Sequence, residues 1–151
     1  MVTPYLLLKL LHVVLAIFAV GSNLTYGFWL SRAASDPLQQ RFALEGIKAL
    51  DRAANVAYVL LLLTGLALAF LGAIPFQTFW VAAALVLYAI VAVLGVAVFS
   101  PLSKRRRELL AERGPDDPEY KAATVRSTRL GVATLVAILG IVFLMVVKPT
   151  P

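Results

Sequence analysis

The chain has 151 residues, of which 61% are apolar and 15% are charged, and its formal net charge is +6 at pH 7. Soluble domains average roughly 45–50% apolar and about 25% charged residues, so this composition excludes an ordinary soluble domain and indicates an integral membrane protein. Cysteine does not occur in the sequence, which excludes disulfides, thiolate metal sites and thiol redox chemistry.

The first predicted membrane span covers residues 5–30 and contains the single histidine of the sequence, His12. Its length suffices, because about 20 apolar residues in a helix cross the hydrocarbon core. The run is too long for a signal peptide, and no small-residue cleavage site follows it. Lys9, His12, Asn23 and Tyr26 share one helical stripe with small residues. Such a stripe within lipid predicts a helix that packs against protein neighbours.

The second span is predicted at about residues 55–71, and its helix should begin earlier, at Pro37. Asp36 precedes this proline, and an aspartate N-cap followed by proline is a helix-start signal. Gly72 and Pro75 follow the span and predict its end. The second span should therefore continue an amphipathic helix on one side of the membrane and end in a short uncharged link on the other.

The third span is predicted at about residues 79–99 and the fourth at about residues 130–147. The third helix should extend beyond the membrane and end at the turn Gly114-Pro115, and Asp117-Pro118 should begin the helix that leads into the fourth span. The sequence therefore predicts an all-α fold: a membrane four-helix bundle, in a single domain over residues 1–151, whose two long connections carry helical extensions.

The distribution of basic residues predicts the orientation of the bundle. Twelve of the fourteen lie in the two long connections, whereas Lys9 and Lys148 lie towards the opposite side. Excess Lys and Arg marks cytoplasmic loops, which predicts a multi-pass membrane protein with both termini outside. The expected partner is the lipid bilayer and not nucleic acid. The run Lys104 to Arg107 is interpreted as a topology anchor on a solvated helix end, with contact to anionic headgroups as the alternative.

Small residues are predicted to surround His12 in the outer half of the bundle. They allow helices to pack closely, and they can also leave a slot for a flat cofactor between helices. A neutral imidazole is a good axial ligand for haem iron and a proton carrier, while a structural histidine is the plain alternative. His12 is the candidate metal ligand, and Trp80 is expected to flank the cofactor together with Tyr88. The candidate cofactor-binding residues are His12, Gly65, Ala69, Ala84, Tyr88 and Gly140.

A second group of polar residues, on the first two spans, is predicted nearer the cytoplasmic side. It is either an entry for protons or ions or a hydrogen-bond network that locks the two spans together. The second interpretation is favoured because Asp51 lies beside Arg52 near the interface, where it can stay hydrated. Lys9, one turn from His12, should snorkel to the headgroups or pair with a haem propionate. The members of this polar network are Asn23, Tyr26, Asp51, Asn55 and Tyr58.

The two ends of the chain carry a family resemblance. The segments LLLKLLHVVLAIFAVGSNLTYGFW and RSTRLGVATLVAILGIVFLMVVKP resemble the bacterial integral-membrane family catalogued as domain of unknown function 2269, through the His12-to-Asn23 spacing, the pair Phe28-Trp29 and the closing Met145 to Pro149. This resemblance implies a four-helix, multi-pass protein of a bacterial inner membrane. More distantly, His12 and the four-helix format resemble copper-resistance D proteins and the membrane protoporphyrinogen oxidase of bacteria. In the oxidase, a first-helix histidine is associated with haem.

Three functions follow as hypotheses. The first is binding of haem b, or a related tetrapyrrole, through His12 for electron transfer, haem handling or redox sensing. The second is a small transporter or channel subunit for a proton or small solute along the stripe of His12 and Asn23, and a homo-oligomer is then expected because four spans enclose little volume. The third is a structural or assembly subunit of a membrane complex. Soluble-enzyme motifs are absent, and no catalytic residue is assigned.

Overall fold

A computed structural model of the chain describes residues 3–33 and 36–149. Within these residues the secondary structure is entirely helical, which confirms the predicted all-α fold. The elements are α1 (Pro4–Arg32), α2 (Pro37–Leu71), α3 (Phe79–Leu94), a π-helical turn (Gly95–Phe99), α4 (Ser100–Glu112) and α5 (Pro118–Val147).

Among the described residues, four helices are long and apolar enough to cross a membrane: α1, α2, the continuous helix Phe79–Glu112 and α5. Their outward surfaces carry large apolar side chains, and Phe70 and Val96 are each 78% exposed. Helices that are apolar on all sides need surroundings without water, which here is the hydrocarbon of a bilayer. The predicted four-helix membrane protein is confirmed.

The helix starts follow local sequence signals. The side chain of Asp36 accepts a hydrogen bond from the backbone N–H of Leu38 at 2.8 Å, and that of Asp117 accepts one from Tyr120 at 3.1 Å. A proline occupies the first helical position in both cases. Gly114 turns the chain between α4 and α5 with φ of 82°, which glycine adopts without a steric penalty. The predicted starts of α2 and α5 are therefore confirmed.

The third long helix differs from the regular α-helix that the sequence pattern suggests. Its turn Gly95–Phe99 is π-helical, and the N–H of Ser100 bonds to the carbonyl of Gly95. Pro101 explains the change, because it has no N–H to donate to Ala97 and its ring would clash with that carbonyl. The wider turn accommodates the proline and keeps the helix continuous.

The bundle consists of two helix pairs. α1 packs along α2, α3 packs along α5, and the pairs meet each other at fewer positions. The buried side chains within the membrane segments are mostly small, such as Ala19, Ala57 and Ala84. Small residues let helix backbones approach closely, which is how helices associate in lipid.

The helical extensions form a cap at the end of the bundle that contains both long connections. Leu44 of α2, Leu109 and Leu110 of α4, and Tyr120 of α5 make a buried apolar cluster there. Each leucine stabilises the cap by roughly 1.5–3 kcal/mol on leaving water. This cap connects α2, α4 and α5 outside their most apolar segments.

Candidate functional site

His12 of α1 lies against α2, where it meets Thr64. Its Nδ1 is 2.8 Å from Oγ1 of Thr64, and the Thr64 hydroxyl itself donates to the carbonyl of Leu60 at 2.7 Å. A hydroxyl has only one hydrogen, so both contacts can be hydrogen bonds only when Thr64 accepts from the imidazole and Nδ1 carries the proton. In the neutral imidazole, Nε2 therefore has the free lone pair.

Gly65 makes the position of the His12 ring possible. A Cβ atom at Gly65 would lie 3.2 Å from Cε1 of His12, which is closer than ordinary van der Waals contact. The space that the sequence analysis assigned to a cofactor at this glycine is thus filled by the imidazole. His12 as a whole is part-buried, so the helices do not enclose it completely.

The other small residues of the predicted cofactor slot make helix–helix contacts. Ala69 and Ala84 are buried at 8% and 2% exposure. A Cβ atom at Gly140 would lie 3.5 Å from Cδ1 of Leu87, so this glycine accommodates a leucine from the neighbouring helix. These observations are those expected for small residues that let helices pack closely.

The two aromatic residues expected beside a cofactor also have protein partners. The hydroxyl of Tyr88 donates to the backbone carbonyl of Tyr58 at 2.9 Å, which joins α3 to α2. The ammonium of Lys148 lies 5.4 Å from the centroid of the Trp80 ring, a cation–π contact between the end of α5 and the start of α3. Trp80 therefore lies at the end of the bundle opposite the helical cap.

Residues of the predicted polar network form two hydrogen-bonded pairs between α1 and α2. The hydroxyl of Tyr26 donates to Oδ1 of Asp51 at 2.6 Å, and the amide of Asn23 donates to the hydroxyl of Tyr58 at 2.5 Å. Asn55 lies on the exposed side of α2 and takes part in neither bond. The structure brings four of the five residues together, as hydrogen-bonded pairs one helical turn apart on α1.

A stretch of α1 with small apolar residues in the stripe separates these pairs from His12. Asn23 and His12 are eleven residues apart, or roughly 16 Å along the helix. Ala16 and Ala19 occupy the same stripe between them, and Ala19 is completely buried. The hydroxyl of the nearby Ser22 donates to a carbonyl of its own helix, at Phe18. The α1–α2 interface therefore contains two separate polar sites and not one continuous path.

Sequence reasoning missed two residues with defined roles. Thr64 is the only serine or threonine in the second span, and that isolation was the available signal. Arg106 was treated as one cation of a solvated run, but it is buried at 4% exposure. Its guanidinium donates to the hydroxyl of Ser127 at 3.2 Å and lies 6.0 Å from the centroid of the Tyr120 ring. No sequence signal distinguishes Arg106 from its basic neighbours.

The model of the family described as "Predicted integral membrane protein (DUF2269)" matches residues 6–149, which is nearly the whole chain. No curated protein and no solved structure matches the chain.

Proposed function

The chain belongs to the DUF2269 family of predicted integral membrane proteins, and from that premise we propose that it binds haem b, or a related tetrapyrrole, through Nε2 of His12. The observation that carries the proposal is the hydrogen bond between His12 and Thr64. Histidine ligands of metals usually donate their second ring N–H to a neighbouring acceptor, which fixes the tautomer and the ring orientation. Thr64 supplies that acceptor here.

The residues fit haem at the ligand atom but not in the slot expected between the helices. Gly65 accommodates His12, and Gly140 accommodates Leu87. A tetrapyrrole would instead have to reach Nε2 through the part of His12 that the helices leave exposed. One chain offers a single histidine, so a second strong axial ligand would come from His12 of another copy. Tyr88, the weaker candidate, already bonds to a backbone carbonyl.

The chain's own residues would perform three tasks in such a site. Thr64 keeps Nε2 in its unprotonated form, Gly65 admits the ring between α1 and α2, and the apolar helix surfaces exclude water. A bound haem would supply one-electron redox chemistry, which suits electron transfer, redox sensing or haem handling.

The absorption spectrum of the membrane-extracted protein tests the proposal. We expect a Soret band in the wild-type protein, either as purified or after addition of haemin, and its loss in His12→Ala. The matched control is Asn23→Ala, which removes a polar residue from the same helical stripe and should keep the band. A wild-type protein that is colourless and takes up no haemin would overturn the proposal.

A second candidate function is that of a structural or assembly subunit. It is favoured because the polar side chains of α1 form hydrogen bonds with α2. Asn23 and Tyr26 both donate to side chains of α2, and His12 bonds to the same helix, which is what a purely structural stripe would do. Under this alternative, removal of these bonds changes oligomer yield without any effect on an absorption spectrum. Proton or solute transport along the stripe is less well supported, because Ala16 and Ala19 interrupt it.

A further inference from the structure

A shallow, open groove lies on one face of α5, at the end of the bundle that carries the helical cap. Its lining combines cations with apolar side chains. Val125 in this groove is 50% exposed, so the apolar part is accessible and not covered by the bundle. The lining residues are Lys121, Ala122, Val125, Arg126, Arg129 and Leu130.

The cations of this groove differ from the basic run of α4. In that run, Arg106 is buried and its three neighbours form ion pairs within the protein. Among the described residues, by contrast, neither Arg126 nor Arg129 has an ion-pair partner, and both are exposed. The ion pairs of the run join Lys104 to Glu108 at 3.9 Å, Arg105 to Glu119 at 3.1 Å and Arg107 to Glu45 at 3.9 Å.

Lys121, the third cation of the groove, is paired only at the surface. Its ammonium is 3.0 Å from a carboxylate oxygen of Asp116, whose side chain is 97% exposed. Such a pair is weak because water screens both charges. Lys121 can therefore exchange this contact for another anion.

The groove lies at the depth of lipid headgroups. The apolar segment of α5 begins at Leu130 and ends at Val147, and these 18 residues span roughly 27 Å, close to the thickness of the hydrocarbon core. Arg129 is therefore at the boundary of the hydrocarbon, and Arg126 is one turn farther out. Leu130 and Val125 can contact the upper part of an acyl chain while the arginines reach its phosphate.

We propose that this face of α5 binds the headgroup of an anionic phospholipid, with Arg126 and Arg129 as the phosphate ligands. Guanidinium groups bind phosphate through two parallel N–H donors, which suits two unpaired arginines one turn apart. The occupant is a lipid and not a soluble acidic segment, because the groove continues into the membrane-facing surface at Leu130. The site is independent of His12 and of any cofactor.

Lipid retention by the full-length protein tests the proposal. The protein is purified in a neutral detergent with an equal mixture of phosphatidylglycerol and phosphatidylcholine, and the retained lipids are quantified by native mass spectrometry. We expect the wild-type protein to retain phosphatidylglycerol preferentially. Arg126→Gln with Arg129→Gln should reduce that preference, by roughly fivefold for each arginine removed.

The control is Arg105→Gln with Arg107→Gln, which changes the net charge by the same amount at two arginines that form ion pairs with other helices. It should keep the preference for phosphatidylglycerol. Circular dichroism and thermal unfolding establish that both double variants remain folded. The proposal is overturned if the wild-type protein shows no preference, if the groove variant keeps it, or if both variants lose it equally, since the last result would reflect net charge alone.

Discussion

Thr64 is a small residue with a large influence on His12, because its hydroxyl decides which imidazole nitrogen carries the hydrogen. The hydroxyl bonds to the Leu60 carbonyl and to Nδ1 at once, so that neither polar group is left unpaired in the apolar interface. An unpaired polar group in such surroundings costs about 1–3 kcal/mol. The Thr64–His12 bond therefore matters whether or not a ligand binds to Nε2.

Substitution of Thr64 separates the shape of this side chain from its hydrogen bond. Thr64→Val keeps the volume and removes the acceptor, so we expect affinity for haemin to fall by about 10–100-fold. Thr64→Ser keeps the acceptor and should stay close to wild type. Titration with haemin, followed at the Soret band, measures both variants. Equal affinity in Thr64→Val and the wild-type protein would contradict the role given to Thr64.

Gly65 allows a second test at the residue scale. Gly65→Ala places a Cβ atom 3.2 Å from the His12 ring, which is held by its bond to Thr64 and cannot move freely. We expect a loss of about 1–3 kcal/mol in the free energy of unfolding, as for other overpacked sites. Thermal unfolding in detergent measures the change.

The control for Gly65→Ala is the same substitution in a His12→Ala background. Without the imidazole the Cβ atom has space, so Gly65→Ala should then cost little. A strongly non-additive double-mutant cycle is therefore expected for this contact. Additive effects of the two substitutions would mean that the ring and the glycine do not contact each other in solution.

At the scale of the elements, hydrogen bonds fix α1 on α2 at a defined rotation. The pairs Tyr26–Asp51 and Asn23–Tyr58 both bridge the two helices. Asn55 belongs to the same stretch of α2 but lies about 60° around the helix from Tyr58, since each residue advances by about 100°. The α1–α2 contact therefore includes Tyr58 and leaves Asn55 outside.

The same substitution at two asparagines tests this rotation. Asn23→Leu removes the donor to Tyr58 and should lower the free energy of unfolding by about 0.6–1.7 kcal/mol, the range for polar contacts between membrane helices. Asn55→Leu should stay within about 0.5 kcal/mol of wild type, because Asn55 is exposed. Thermal unfolding of both variants in one detergent gives the comparison. A larger effect at Asn55 than at Asn23 would require a different rotation of α2.

At the scale of the whole molecule, the helical cap connects the two helix pairs, which have few contacts with each other along their membrane segments. The two helix pairs meet at few positions, whereas α2, α4 and α5 share the apolar cluster around Leu109. Leu109 is 1% exposed, and the same cap contains the buried Arg106. Its packing should therefore contribute a large part of the resistance of the bundle to unfolding.

Truncation of two leucines compares the cap with the lipid-facing surface. Leu109→Ala should lower the free energy of unfolding by about 2–5 kcal/mol, as for other buried leucines. Leu71→Ala should cost less than about 0.5 kcal/mol, because Leu71 is 60% exposed and has few neighbours to lose. Unfolding by a denaturing detergent, followed by circular dichroism, measures both variants. Equal losses would show that the cap does not hold the helices together.

The sequence by itself determined the number of membrane helices and where two of them begin. Hydropathy over a helix length is a property of a continuous segment, and the caps at Asp36 and Asp117 act within one turn. Both signals are therefore local. The π-helical turn was also encoded locally, by Pro101, although the pattern of apolar residues alone does not reveal it.

Only the tertiary structure decided which side chains meet. Spacing along α1 and α2 brought His12 and Gly65 to one depth, but Thr64 became the partner of Nδ1 through the rotation of α2. The same rotation left Asn55 outside the network. Burial of Arg106 depended on how α4 packs on α5. Rotation and packing distance result from contacts summed over whole helices, and no single stretch of sequence contains them.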